Sequence, residues 1–219
     1  MASPLSSDPS LAAFGSSLTA ITLAELGDKT FFMALILAVR HRARWVFIGS
    51  FAALTAVTLI SLALGYGLRE LLPQSLVPWL AAVLFLSFGI KLLIDAQGMA
   101  ANAATEEKAE AEQVINTAES SKVFNTAWAV IWESFVLVFI AELCDRTQFT
   151  TIFMATAPAQ VFSFGGLLAG TLLGHALVTW LAVGAGKWIG QWVNERLLYR
   201  LSGGLFLVFG LAALSQALS

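Results

Sequence analysis

Long apolar runs separated by short polar stretches dominate the chain. A helix that crosses a bilayer needs roughly 20 mostly apolar residues. The fourth run is too long for one straight crossing, because about 30 residues at ~1.5 Å each extend about 45 Å. We therefore expect it to begin among the headgroups, tilt or break. The pattern predicts an all-α integral membrane protein with six transmembrane helices, at about residues 14–39, 45–68, 77–96, 125–156, 161–187 and 198–217.

The composition agrees with this class. The chain of 219 residues is 58% hydrophobic and 12% charged, with a mean hydropathy of +0.80, whereas a soluble domain carries about 25% charged residues. No basic run is present, so we expect a lipid bilayer and no nucleic acid among the partners. A single cysteine, Cys144, excludes an internal disulfide. The first ten residues contain no Lys or Arg, so we expect no secretory signal peptide.

Two segments of the chain are repeated. AELGDKT at 24–30 returns as AELCDRT at 141–147, and LFLSFG at 84–89 returns as LFLVFG at 205–210. The order and the spacing of the two pairs persist over most of the chain. We therefore predict two homologous halves of three spans each.

Three spans per half is an odd number, so the second half would enter the membrane from the opposite side. The predicted organisation is a first repeat at 1–97, an acidic linker at 98–122 and a second repeat at 123–219. In transporters, inverted repeats of this kind hold a substrate site near the midplane. The linker is rich in Ala and Glu, which is typical of a solvated helix or a mobile segment. A regulatory or cation-attracting arm is the alternative.

Positive charge predicts the orientation, because Lys and Arg accumulate in cytosolic loops. One side of the predicted topology holds only Arg69. We therefore place both termini on the non-cytosolic side and loops 1–2, 3–4 and 5–6 in the cytosol. The basic residues of those three loops and their flanks are Arg40, Arg42, Arg44, Lys91, Lys108, Lys122, Lys187, Arg196 and Arg200.

The repeated motif carries the candidate chemistry. On a helix, residues three or four apart share a face, so Glu25 and Asp28 would point the same way, as would Glu142 and Asp145. Inversion about a midplane axis can bring the two acidic faces together. The same motifs supply neutral oxygens from Thr30, Thr147 and Gln148. They also supply two basic side chains, Lys29 and Arg146, each four residues after a glutamate and able to pair with it.

A charge at the bilayer centre costs several kcal/mol on contested scales, so four carboxylates would not stay ionised there alone. With Lys29 and Arg146 they leave a net charge of −2, which matches one divalent cation or two protons. The ligands are hard oxygens without a His/Cys cluster, and such ligands suit Mg²⁺, Ca²⁺ or Mn²⁺. The hypothesis is exchange of one divalent cation for up to two protons, without a resident cofactor.

Each element of this hypothesis has an alternative. The carboxylates could form structural ion pairs with Lys29 and Arg146. Glu133 could line an entry vestibule or sit at the headgroups, and His175 could relay protons or make one hydrogen bond between helices. The motif aspartates could also serve an intramembrane aspartyl protease, and the whole site could belong to a passive cation channel.

The two motifs resemble the paired E-x-G-D-[KR]-[ST] signature of a family of six-helix cation:proton exchangers in the cation/calcium exchanger superfamily. This family includes cyanobacterial and chloroplast manganese transporters and Golgi relatives that move manganese and calcium. The short chain without a presequence is most similar to its cyanobacterial manganese exporters. The resemblance implies a transporter in a bacterial inner or thylakoid membrane, not an enzyme.

By the same resemblance, the metal and the exchanged protons would bind to four carboxylates, Glu25, Asp28, Glu142 and Asp145. Thr30 and Thr147 would be secondary ligands, and Lys29 and Arg146 would balance charge.

The second motif departs from the signature, because Cys144 stands where the family has Gly. A positive backbone angle at this position would penalise Cys but not Gly. We therefore expect both motifs to be nearly helical, with a small residue for close packing.

Overall fold

Helices form all the regular secondary structure that the computed structural model describes. It describes residues 8–98, 104–119, 126–143, 145–156, 163–189 and 195–218. The helices within these ranges are α1 (Pro9–Glu25), α2 (Lys29–Arg40), α3 (Ala43–Leu71), α4 (Val77–Gly98), α5 (Ala104–Glu119), α6 (Ala127–Glu142), α7 (Arg146–Thr156), α8 (Phe164–Ile189) and α9 (Glu195–Leu218).

Four helices in the described part of the chain, α3, α4, α8 and α9, are long and apolar enough to cross a bilayer. The pair α6 and α7 makes a fifth candidate span, bent by 67°. By contrast, α1 has 17 residues and α2 has 12, each fewer than the roughly 20 that a crossing needs. The predicted all-α membrane class agrees with the structure, and six spans with inverted repeats stay a prediction.

Helix packing follows a symmetric pattern. α1 packs along α8 and α6 along α3, α2 contacts α8 and α7 contacts α3, and α4 packs along α9. Exchanging α1–α4 with α6–α9 leaves these neighbours unchanged. Several of the contacts require glycine: a Cβ at Gly49 would clash with the Ile131 carbonyl oxygen of α6, and a Cβ at Gly170 would clash with the Phe14 carbonyl oxygen of α1.

The core is centred on α2. Its residues 30–37 are all buried, and the apolar cluster around them includes side chains of α3, α5, α6 and α8. The outer helices instead expose large apolar side chains, such as Ile94 on α4, Trp180 on α8 and Val208 on α9, each more than 60% exposed. Such a surface suits a lipid environment, because soluble proteins rarely expose large apolar patches to water.

The predicted linker contains a docked helix. Ala111 and Ile115 of α5 are fully buried against the α2 cluster. Glu110, in the middle of α5, pairs with Lys29, and Glu119, at its C-terminal end, pairs with Arg40. The sequence interpretation as a solvated helix agrees with the secondary structure, but it missed the buried face.

Candidate metal centre

Both copies of the motif interrupt a helix at the same place. α1 ends at Glu25 and α2 begins after Asp28, while α6 ends at Glu142 and α7 begins after Asp145. In each break the aspartate N–H donates to the glutamate carbonyl oxygen, at 3.2 Å in both cases. The expectation of nearly helical motifs was therefore wrong.

Gly27 shows why the first helix stops. Its φ is 80°, in the left-handed region that glycine enters at little cost and other L-residues avoid. The preceding Leu26 is extended, with φ −66° and ψ 116°, and Leu143 in the second motif is nearly the same, with φ −64° and ψ 121°. The prediction about the backbone of Cys144 falls outside the described residues.

The breaks bring three carboxylates together in the interior. One oxygen from each of Glu25, Asp28 and Glu142 lies within 4.8 Å of the others. The three residues are 2%, 8% and 1% exposed, respectively. Two come from the first repeat and one from the second, so the cluster forms only where the two motifs meet.

Repeat-related threonines orient the two glutamates. The Thr30 hydroxyl donates to Glu25 Oε2 at 3.1 Å, and the Thr147 hydroxyl donates to Glu142 Oε2 at 3.2 Å. Thr147 also lies near the Glu25 carboxyl, and Thr30 lies near the Glu142 carboxyl. The two hydroxyls therefore stand between the acidic groups of both repeats, where either can serve a bound cation as an additional oxygen.

Each glutamate retains one buried oxygen without a hydrogen bond. Oε1 of Glu25 and Oε1 of Glu142 lack a partner among the described residues. Buried polar atoms in native proteins are almost always satisfied, and exceptions call for a function or an unseen ion. A divalent cation or a proton on these oxygens would remove the deficit.

Asp145 stands at the edge of the cluster. Its Oδ2 accepts bonds from the N–H and the hydroxyl of Thr147, both at 3.3 Å. Together with Asp28 it lines a cavity of about 450 Å³, whose wall also includes Lys91 and Asp95 of α4. Because Lys91 is exposed, the cavity reaches the surface. The two aspartates therefore lie between the buried glutamates and this surface cavity.

Of the two predicted charge-balancing residues, Lys29 has its ion pair outside the motif. Lys29 Nζ forms its ion pair with Glu110 Oε2 of α5, at 3.1 Å, instead of with Glu25. For Arg146 the structure describes the backbone alone, at the start of α7. The positive charge of Lys29 is therefore shared with an acid outside the motif.

His175 lies beside the carboxylate cluster. Its Nδ1 is 3.7 Å from Glu25 Oε1, and the ring is 4% exposed. A small void next to Glu25 is lined by His175, Ser50 and Thr179. Gln148, predicted as a secondary ligand, is buried in the first turn of α7.

Glu133 lies elsewhere, nine residues before Glu142 on α6. Its Oε2 is 3.6 Å from His41 Nε2, and His41 in turn contacts Glu119. Sequence reasoning did not connect these three residues, because they come from three distant segments. In the sequence, the signal for Glu133 is an acidic residue within the apolar run of a predicted span.

Lys91 and Asp95 were also missed as residues of the cavity. Their signal is a lysine followed four residues later by an aspartate near the end of an otherwise apolar span, which places both on one helix face.

The oxygen ligands of this arrangement suit a hard divalent cation. Carboxylate and hydroxyl oxygens are the ligands of Mg²⁺, Ca²⁺ and Mn²⁺. Without a cation, closely spaced buried carboxylates repel one another, and either a cation or a proton can neutralise them. Cations and protons therefore compete for the same oxygens.

Comparison with known proteins agrees with this chemistry. A family model described as "Divalent cation/proton antiporter GDT1" matches residues 13–100 and 130–219. No solved structure matches the chain.

Curated relatives match over most of the chain. A GDT1-like protein, sll0615, of Synechocystis is 39% identical over 204 residues, covering 93% of this chain and 97% of its own. Protein PAM71, chloroplastic, of Arabidopsis thaliana is 37% identical, over 93% of this chain and 56% of its own. A rice protein, GDT1-like protein 1, chloroplastic, is 34% identical, over 93% of this chain and 62% of its own.

Proposed function

The chain belongs to the GDT1 family of divalent cation/proton antiporters, and from this premise we propose that it exports Mn²⁺ or Ca²⁺ from the cytosol in exchange for protons. The family assignment agrees with the resemblance found in the motifs. It is a transporter family, so the protease alternative is set aside.

One observation carries the proposal. Glu25 and Glu142, from two broken helices of different repeats, are buried together with one unpartnered oxygen each. Buried carboxylates are tolerated when a cation or a proton neutralises them. A site that must hold either a cation or protons couples the transport of the cation to the transport of protons.

The negative charge of the motif carboxylates supports a cationic cargo. Lys29 is already paired with Glu110, so it neutralises the motif carboxylates less than the sequence count assumed. More negative charge then remains for the cargo. We propose that one divalent cation replaces up to two protons, and that hard-oxygen ligands favour Mn²⁺ or Ca²⁺ over softer metals.

The packing supports alternating access. The principal helix pairs, α1–α8 with α3–α6 and α2–α8 with α3–α7, correspond when α1–α4 and α6–α9 are exchanged, as expected for inverted repeats that move against each other around a central site. The cavity beside Asp28 and Asp145 reaches past Lys91 and Asp95 toward the end of α4. Because loop charge predicts that this end is cytosolic, we propose that the structure is an inward-facing state.

We propose a bacterial inner or thylakoid membrane as the location. The relatives in Arabidopsis and rice carry the word chloroplastic in their names, and another relative is cyanobacterial. The proposed orientation places the α2–α3 loop, α5 and the α8–α9 connection in the cytosol.

Flux across proteoliposomes under an imposed pH gradient tests the proposal. Purified protein is reconstituted, and Mn²⁺ or Ca²⁺ entry is recorded with the vesicle lumen acidic, then alkaline, at zero membrane potential. An exchanger accumulates the cation in acidic vesicles above its external concentration and stops accumulating it when the gradient is reversed. Flux that only follows the cation gradient would identify a channel and contradict the proposal.

A further inference from the structure

A second group of cation ligands lies at the opposite end of α6 from Glu142. His41 follows α2 as its C-terminal cap, Glu119 ends α5, and Glu133 lies in the second turn of α6. Nine residues along a helix separate Glu133 from Glu142, about 13 Å. This group, which we call the His41 cluster, is therefore distinct from the buried carboxylates of the motifs.

The spacing of the His41 cluster suits a metal ion. His41 Nε2 is 3.0 Å from Glu119 Oε1 and 3.6 Å from Glu133 Oε2, and ligand atoms of all three lie within 4.8 Å of one another. Ligands bound at about 2.0–2.2 Å in a tetrahedral or octahedral shell stand roughly 3.0–3.6 Å apart. Small side-chain adjustments would therefore complete a three-ligand site.

Glu133 supplies independent evidence for a ligand. Its side chain is 2% exposed, and neither carboxylate oxygen has a hydrogen-bond partner. A buried carboxylate without hydrogen bonds costs far more than one with partners, and its Oε2 faces the imidazole nitrogen. A cation between these groups would satisfy the carboxylate.

The neighbouring Arg40 leaves the ligand atoms of the His41 cluster available. Arg40 binds the other oxygen of Glu119 and donates to Asn116 Oδ1 at 2.6 Å. Glu119 Oε1 thus remains directed at His41 while its second oxygen is held in place, an arrangement typical of carboxylate ligands with an outer partner. Two carboxylates against one arginine, Arg40, give the His41 cluster and its neighbour an excess of acidic groups.

We propose that the His41 cluster binds a divalent transition-metal ion, such as Mn²⁺ or Zn²⁺, and so fastens the linker helix α5 to α2 and α6. Imidazole nitrogen favours Zn²⁺ over Mg²⁺ and Ca²⁺, which prefer oxygen alone, and the two carboxylates also suit Mn²⁺. Because Glu110 of the same helix pairs with Lys29 of the first motif, occupancy of this site would bear on the transport site through α5.

The test uses the full chain in detergent with Mn²⁺ alone as the probe. The background variant is E25Q/E142Q, which removes both glutamates of the motifs. We expect it to bind one Mn²⁺ per chain, with a ¹⁴N coupling from imidazole in pulsed electron paramagnetic resonance. Adding E133Q should weaken binding about 10- to 100-fold, the range measured even for outer partners of metal ligands.

The chain has two histidines, so the source of the nitrogen signal is decidable. In the same background, H41N should abolish the ¹⁴N coupling and H175N should retain it. The proposal is overturned if the background binds no stoichiometric Mn²⁺, if the coupling survives H41N, or if E133Q leaves affinity unchanged. Because the assay measures binding without flux, its outcome is independent of whether the protein is an antiporter.

Protection of α5 gives a second measurement. Lys108 is an exposed trypsin site in this helix. Mn²⁺ should slow cleavage after Lys108 several-fold in the E25Q/E142Q background and not after E133Q is added. Equal cleavage rates with and without Mn²⁺ in the background variant would contradict a metal-dependent attachment of α5.

Discussion

The hydroxyl groups of Thr30 and Thr147 offer a sharp test of the site. Each donates to a motif glutamate, at 3.1 and 3.2 Å. Replacing either by valine keeps the shape of the side chain and removes the bond. If the repeats contribute equally, Thr30→Val and Thr147→Val should impair cation binding to a similar degree.

The magnitude follows from the two states of the site. With a cation bound, the hydroxyl bonds to a charged carboxylate, a bond that contributes about 1.5–3 kcal/mol, whereas with protons bound it contributes about 0.5–1.5 kcal/mol. The difference, about 1–1.5 kcal/mol, corresponds to about 5- to 10-fold weaker cation binding. Loss of a direct Thr–cation contact would add to this figure.

Initial rates of Mn²⁺ uptake into acidic proteoliposomes, measured over a range of Mn²⁺ concentrations, give the KM of each variant. Thr58→Val is the matched control, because the buried Thr58 hydroxyl bonds only to its own helix, at Leu54 O, 2.8 Å away. We expect KM to rise for both motif variants and to stay near wild type for the control. An unchanged KM in either motif variant, or an equal rise in the control, would refute the role of the threonines.

Three further substitutions test the fold around the site. Gly27→Ala should lower the free energy of unfolding by about 1–2 kcal/mol because of the left-handed backbone, measured by denaturant unfolding, while Gly15→Ala, with open space around it, should not. Gly170→Ala should destabilise by about 1–3 kcal/mol through overpacking against α1, whereas Gly165→Ala, which meets no neighbour, should be neutral or slightly stabilising. Glu110→Ala removes a largely exposed ion pair, so unfolding should change by less than about 1 kcal/mol; a larger loss would mean that α5 depends on this pair.

The sequence predicted the membrane class and the approach of acidic residues from the two motifs, because both depend on features that are visible locally. Apolar runs identify helices of membrane length. The repeat of the Glu25 motif at Glu142 indicates two related acidic helix faces. The structure places Glu25, Asp28 and Glu142 within reach of one ion.

The helix breaks could not be predicted from residue identity. Gly27 adopts a positive φ, but the cysteine at the corresponding place argued against that conformation. The breaks place the N-termini of α2 and α7 beside the motif aspartates, where helix N-termini favour negative charge, and local propensity does not contain this effect. Lys29 was expected to pair with Glu25 because a continuous helix would place residues four apart on one face, and the break between α1 and α2 removes that spacing.

The docking of α5 and the His41 cluster were hidden by distance along the chain. The linker is acidic and alanine-rich, and among its described residues Ala111 and Ile115, four residues apart, are fully buried. His41, Glu119 and Glu133 come from separate segments, and no motif connects them. Contacts of this kind depend on the three-dimensional path of the chain.

The central claim is that Glu25 and Glu142 jointly hold the exchanged cation and protons. The most direct measurement is simultaneous recording of Mn²⁺ entry and proton exit in proteoliposomes for wild type, Glu25→Gln and Glu142→Gln, with the exposed Glu70→Gln as control. Removing one partner of a buried charged site costs about 3 kcal/mol or more, about 100-fold. The account predicts that both fluxes fall together by about that factor in each motif variant and persist in the control. Mn²⁺ and proton fluxes at the wild-type level in either variant would contradict it.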